Sequence, residues 1–261
     1  MELAGLLRLP PQSMVIFLLV LVRASAIFLT APVLSHSNVP QRMKIGLAFS
    51  LALILAPFLM NQPLTFDYTN FWTLGLALLQ EIALGVFIGM LAQLLFVAVQ
   101  FAGQVVGLQM GFGMASVFDP NTHAQVSIVA QIYLYMILMV FLLMDGHHWL
   151  IIALQRSFDS VPLGTFTLDG QVMGVLLAAT NELFWVALTI MAPVLGVLVL
   201  AELAMGIVAR IMPQMNVFVA SFPVKIGLGF ITMILAFPLM ISYLGPTIER
   251  NFMGILRFLA S

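Results

Sequence analysis

Six stretches of this sequence, residues 13–30, 43–60, 71–101, 126–144, 172–200 and 226–244, are nearly free of charge. They approach or exceed the roughly 20 residues that a helical bilayer span takes. Turn-forming residues separate them: 32–40, 61–63, the glycine-rich stretch after Gly103, Asp145-Gly146, 162–170 and 213–223. No strand-like alternation competes, so the expected class is all-α, built from membrane-associated helical hairpins. Only 7% of the 261 residues are charged, against about 25% in a soluble domain. A chain with mean hydropathy +1.15 cannot clothe itself in polar surface and must be an integral membrane protein. At the start, Arg8, an apolar run and Ala24-Ser25-Ala26 imitate a signal peptide. Arg23 interrupts that pattern and the hydrophobicity continues to Thr30, so the segment reads as the first helix.

Three features depart from an ordinary six-helix membrane protein. Arg23, Glu81, Glu182 and Glu202 lie within or beside the apolar segments. A charge at a bilayer centre costs roughly 2.5–3.5 kcal/mol on insertion scales, so these four are expected buried at helix or subunit interfaces. The positive-inside rule returns a tie, with Arg8, Arg156, Arg250 and Arg257 on one side and Arg42, Lys44, Arg210 and Lys225 on the other. Segments 71–101 and 172–200 exceed a simple span, and Pro193 is expected to kink the second. Such a chain reads as buried among other subunits along much of its surface. Gly85 and Gly89, the series Gly103, Gly107 and Gly111, and the pair Gly170 and Gly174 have the spacing that lets membrane helices approach closely.

Between the third and fourth segments, residues 104–125 read as a loop rich in Gly, Met and Phe, without Lys or Arg. It is too flexible for a rigid site and too apolar to sit in water. Two readings remain for its side chains: ordinary core packing, or a seal folded into a pore. Methionine packs against irregular or changing surfaces, and the chain has 18 of them.

Chemistry is otherwise scarce. No cysteine is present, which removes disulfides, thiolate metal sites and cysteine nucleophiles. No H-E-x-x-H, P-loop or G-x-S-x-G occurs. Asp145-Gly146-His147-His148 is the one dense polar cluster; adjacent helical residues point about 100° apart, so it reads as a helix-end turn at an interface. No enzyme, cofactor, metal or nucleic-acid partner is expected, the net charge being −1. A proton-coupled secondary transporter relaying protons through Glu81, Glu182 or Glu202 remains an alternative, although no internal repeat supports it. Structural pairing of these acids, with Arg23 or Arg210 for example, is preferred.

Several blocks carry a family resemblance. They are Gly107-Leu108-Gln109-Met110-Gly111-Phe112-Gly113-Met114-Ala115, then Phe118-Asp119-Pro120, then Asp145-Gly146-His147-His148-Trp149-Leu150. Further on come Ala209-Arg210-Ile211-Met212-Pro213, Asn216-Val217-Phe218 and Phe222-Pro223-Val224-Lys225. Near the start stand Arg23, Ala31-Pro32 and Val39-Pro40-Gln41-Arg42-Met43-Lys44. In this order the chain resembles the FliR family of flagellar type III export-gate proteins, whose counterparts serve injectisomes. The resemblance implies one copy assembled with several copies of FliP and FliQ in the bacterial inner membrane. Much of that assembly would stand on the periplasmic side, within the flagellar basal body. FlhB would lie near the cytoplasmic entrance, and unfolded flagellar proteins, rod components included, would be the substrates. It further implies a FliP-like part, residues 1–171, with a plug loop at about 104–125, and a FliQ-like hairpin, residues 172–261. Gly107, Met110, Gly111, Phe112, Gly113, Met114, Val117 and Phe118 would then line or fill the channel. Arg210, Pro213, Asn216 and Lys225 would mark the cytoplasmic hairpin tip.

Overall fold

Helix starts follow the side chains that can satisfy orphan backbone N–H groups. Pro11 opens α1 (Pro11–Thr30), where a missing N–H costs nothing. Asn70 Oδ1 accepts from Trp72 N–H at 3.0 Å at the head of α3 (Phe71–Met110), and Ser127 Oγ from Val129 N–H at 3.2 Å at α4 (Ile128–Leu143). Asp169 serves α6 (Gly170–Ile211) through Val172 N–H at 3.0 Å, and Asn216 serves α7 (Val217–Ala260) through Val219 N–H at 3.3 Å. Two further helices, α2 (Gln41–Leu59) and α5 (Gly146–Ser160), complete the set. This computed structural model describes residues 10–32, 39–60, 64, 66–112, 127–167 and 169–260, and among the described residues there is no strand. The chain is all-α. Among the described residues, five helices are long and apolar enough to cross a membrane, or six if the broken pair α4 and α5 makes one span.

Three helices are longer than expected. α3 has 40 residues, α6 has 42 and α7 has 44. At about 1.5 Å per residue each measures about 60 Å, roughly twice a hydrocarbon core of ~30 Å. α3 continues past Gly103 to Met110, so the first seven residues of the expected 104–125 loop are helical. The turn expected over 213–223 shrinks to 212–216, because α7 accommodates Pro223, Pro238 and Pro246 within its length. Pro193 likewise lies inside an uninterrupted α6. Proline removes one backbone hydrogen bond and can bend a helix, but in α6 and α7 it does not end it.

The chain forms two compact units. The first comprises Met1–Gln93, His147–Leu177 and Arg250–Ser261; the second comprises Leu94–Gly146 and Ala178–Glu249. In the first unit, Ile16, Leu19, Val20 and Ile27 of α1 share a core with Leu84 and Ile88 of α3 and Leu150 and Leu154 of α5. A Cβ added at Gly85 would stand 2.5 Å from Ala26 Cβ and 2.9 Å from Arg23 O. The Gly85/Gly89 pair is therefore the contact that lets α1 and α3 meet by backbone, as van der Waals association in lipid requires. In the second unit, Gly103 does the same for α3 and α4: an added Cβ would lie 2.7 Å from Ala130 Cα. Phe96 of α3 and Phe141 of α4 pack edge to face at 5.4 Å nearby. Gly170 and Gly174 face open space among the described residues.

Candidate functional site

In the first unit, Arg23 on α1 is 0% exposed and Glu81 on α3 is 1% exposed. Guanidinium Nε donates to Glu81 Oε2, and Nη2 donates to Oε1 at 3.0 Å, giving a two-pronged pair. Arg23 Nη1 also donates to Ser157 O at 2.8 Å, and both terminal nitrogens donate to Val161 O at 3.1 Å. Those carbonyls belong to the end of α5, where a helix dipole favours a cation. Glu81 Oε1 accepts from Gly164 N–H at 2.8 Å, and the Arg23 Cζ sits 4.5 Å from the Phe158 ring centroid. Gly164 makes this turn possible with φ +71, a region disfavoured for residues with a side chain. Glu81 is thus paired with Arg23, and each of the two side chains has further partners.

The second unit holds the end of α3. Gly111 takes φ +98; its N–H donates to Leu108 O at 3.0 Å, and Phe112 N–H donates to Gly107 O at 3.1 Å. This is a Schellman stop, with glycine in the left-handed position just past the helix. Gly107 packs against Ser127 and Met110 is fully buried against Gly229, while a Cβ at Gly111 would meet the Phe222 ring at 2.5 Å. Phe112 stacks edge to face on Phe230, centroids 6.2 Å apart. Gln104 Oε1 accepts from Ser127 N–H at 3.2 Å, which fixes the head of α4 against α3. Of the expected plug residues, Gly107 and Met110 are helical, Gly111 and Phe112 form the stop, and Gly113, Met114, Val117 and Phe118 lie outside the described residues.

Beside this stop, Glu202 on α6 is 56% exposed. Its Oε2 accepts from Gln109 Nε2 at 2.8 Å and its Oε1 accepts from Lys225 Nζ at 3.1 Å. The cation is Lys225, not Arg210, which is exposed in the last turn of α6. Pro213 and Asn216 lie in the 212–216 turn, whereas Lys225 lies well inside α7. Glu182 is half-buried, with no hydrogen bond or ion pair among the described residues. His147 and His148 are exposed, with ring centroids 4.3 Å apart, closer than a 100° separation implies. Sequence reasoning missed Gln109, Gln104 and Ser127. For Gln109 the available signal was a polar side chain within one turn of Gly111, a glycine that could stop a helix; for Gln104 and Ser127 the sequence offered none.

The family described as bacterial export proteins, family 1, matches residues 14–250. The chain belongs to this family. Flagellar biosynthetic protein FliR of Escherichia coli (strain K12) is 34% identical over 241 residues, covering 92% of this chain and 89% of the relative. Flagellar biosynthetic protein FliR of Bacillus subtilis (strain 168) is 37% identical over 221 residues, 84% of each chain. Yop proteins translocation protein T of Yersinia pestis is 29% identical over 230 residues, 87% of each. The FliR-type likeness therefore extends over nearly the whole chain, with a relative named for protein translocation alongside the flagellar ones. As a member of a bacterial export family with five apolar helices of spanning length, this is a membrane protein of protein export.

Proposed function

We propose that the chain is a channel-forming subunit of the flagellar type III export gate and carries no catalytic residue. One copy would assemble with several copies of FliP and FliQ in the bacterial inner membrane, largely on the periplasmic side of the basal body. FlhB would stand by the cytoplasmic entrance, next to Arg210, Pro213, Asn216 and the turn between α6 and α7. Residues 1–171 would be the FliP-like part and residues 172–261 the FliQ-like hairpin. Glu182 and the exposed apolar flanks of α6 and α7, such as Leu200, Leu203 and Ile207, would be covered by those subunits.

The observation that carries the reading is the stop at Gly111. A 40-residue helix ends in a backbone-made turn directly before Gly113, Met114, Val117 and Phe118 in the sequence, and Gln104 holds the head of α4 to that helix. A pore for unfolded protein must open wide yet leak few ions when idle, and deformable apolar side chains can seal it by contact and dewetting. Met110 and Phe112, packed on Gly229 and Phe230, would anchor that seal. Deleting residues 113–118 is expected to raise ion conductance through the assembled complex in a planar bilayer. Wild-type conductance from a correctly assembled deletion complex would overturn the plug.

A second reading is favoured by Glu182 alone: of the three acids suspected of proton transfer, it is the one without a partner among the described residues. A proton-coupled transporter predicts that Glu182→Gln abolishes proton uptake in vesicles while the complex still assembles. Unchanged uptake removes that reading.

A further inference from the structure

The three polar side chains at the end of α3 come from three different helices, and each is otherwise surrounded by apolar sequence. Gln109 precedes the fully buried Met110, Glu202 precedes Leu203, and Lys225 follows Val224. The carboxylate of Glu202 spends one oxygen on each neighbour, Gln109 at 2.8 Å and Lys225 at 3.1 Å. Lys225 is only 14% exposed, whereas Glu202 is 56% exposed. Glu202 makes one bond per carboxylate oxygen and is open on one side, so this pair gives up fewer contacts on parting than the enclosed Arg23–Glu81 pair. Hydrogen bonds are directional, so Gln109 and Lys225 fix the Glu202 carboxylate between the last turn of α3 and α7. Met110 against Gly229 and Phe112 against Phe230 are the apolar contacts of the same helix end.

We propose that Glu202 is a positioning residue for export, acting through Gln109. With Lys225 it forms a clasp that holds the last turn of α3 against the α6–α7 hairpin at rest and releases during passage of a substrate. This rests on the reading that the residues beyond α3 seal the channel, and it adds what holds that end of the helix in place.

The chain has no native cysteine, so a Gln109→Cys/Glu202→Cys chain carries only the two introduced thiols. Membrane vesicles containing the assembled apparatus would be treated with a short bis-methanethiosulfonate reagent, and substrate export and ion leak followed before and after reduction. The expected result is export stopped by the link, leak unchanged, and export restored by reductant; each single-cysteine chain with the same reagent should still export. Full export with the link in place would overturn the clasp. In a second arm, Glu202→Lys is expected to lower export about tenfold and Glu202→Lys/Lys225→Glu to recover most of it. A swap that recovers nothing would also overturn the clasp. Deletion of 113–118 in parallel separates the two ideas: absence of leak there sinks the plug, whereas an inert link sinks the clasp.

Discussion

Arg23–Glu81 and Glu202–Lys225 are both acid–base pairs joining apolar helices, and they differ in almost everything else. The first is sealed from its surroundings and saturated: guanidinium and carboxylate also engage Ser157, Val161 and Gly164, and the Phe158 face covers the cation. The second leaves its carboxylate more than half exposed and adds one amide, from Gln109. A charge removed from solvent on all sides is costly unless every donor and acceptor is used, so the first pair holds α1, α3 and the end of α5 in one fixed arrangement. An exposed pair carries little penalty when parted. The same chemistry thus makes a permanent joint in one unit and a releasable one in the other.

The largest test of that contrast is Arg23→Ala, which strands Glu81 in the interior and is expected to cost about 3–5 kcal/mol. Thermal unfolding in detergent should show it, and a loss comparable to that of an exposed pair would erase the distinction. Next, Gly85→Val pushes a side chain into Ala26 and the Arg23 carbonyl. About 1–3 kcal/mol of overpacking is expected on the same unfolding curve, with α1 loosened from α3. Gly111→Ala forces a side chain into positive φ against Phe222. It should cost roughly 1–2 kcal/mol and fray the end of α3, read as faster amide exchange at Gly111 and Phe112. Glu202→Gln is expected to change unfolding by no more than about 1 kcal/mol, so a loss as large as that of Arg23→Ala would make the second pair permanent too. The smallest effect lies before α3. The side-chain hydroxyl of Thr69, and then its backbone N–H, hold the Asp67 carboxyl below its ordinary 3.8. A lowered folded value means that this turn is supported above pH 3.8 and loses its support as pH falls below it. A carbon-detected titration of Asp67 should give a midpoint under 3.8, and a midpoint above that value would refute the turn geometry.

Much of the architecture was legible because lipid leaves a helix few alternatives. Apolar runs placed every long helix, and Gly85 and Gly89 announced a close approach that the structure contains. What stayed hidden depended on where turns fall. The spacing of Gly103, Gly107 and Gly111 pointed to close helix packing, and Gly103 and Gly107 do face Ala130 and Ser127; what the loop reading of 104–125 concealed is that α3 runs on to Met110 and that Gly111 ends it. Pro223 read as part of a wide turn, which concealed that the bend occupies only 212–216. Glu202 and Lys225 are nearly equidistant from the middle of that narrow turn, so antiparallel helices set them side by side; Arg210, eight residues along the same helix as Glu202, has no such register. The partner of Arg23 was suspected but not fixed, since 58 residues separate it from Glu81 and no periodicity spans that distance.

The stop at Gly111 consists of two backbone hydrogen bonds and one left-handed glycine. None of these consults a side chain from residue 113 onward. The end of α3 is thus fixed by α3's own backbone, so a change of side chain beyond residue 112 leaves both bonds of the stop available.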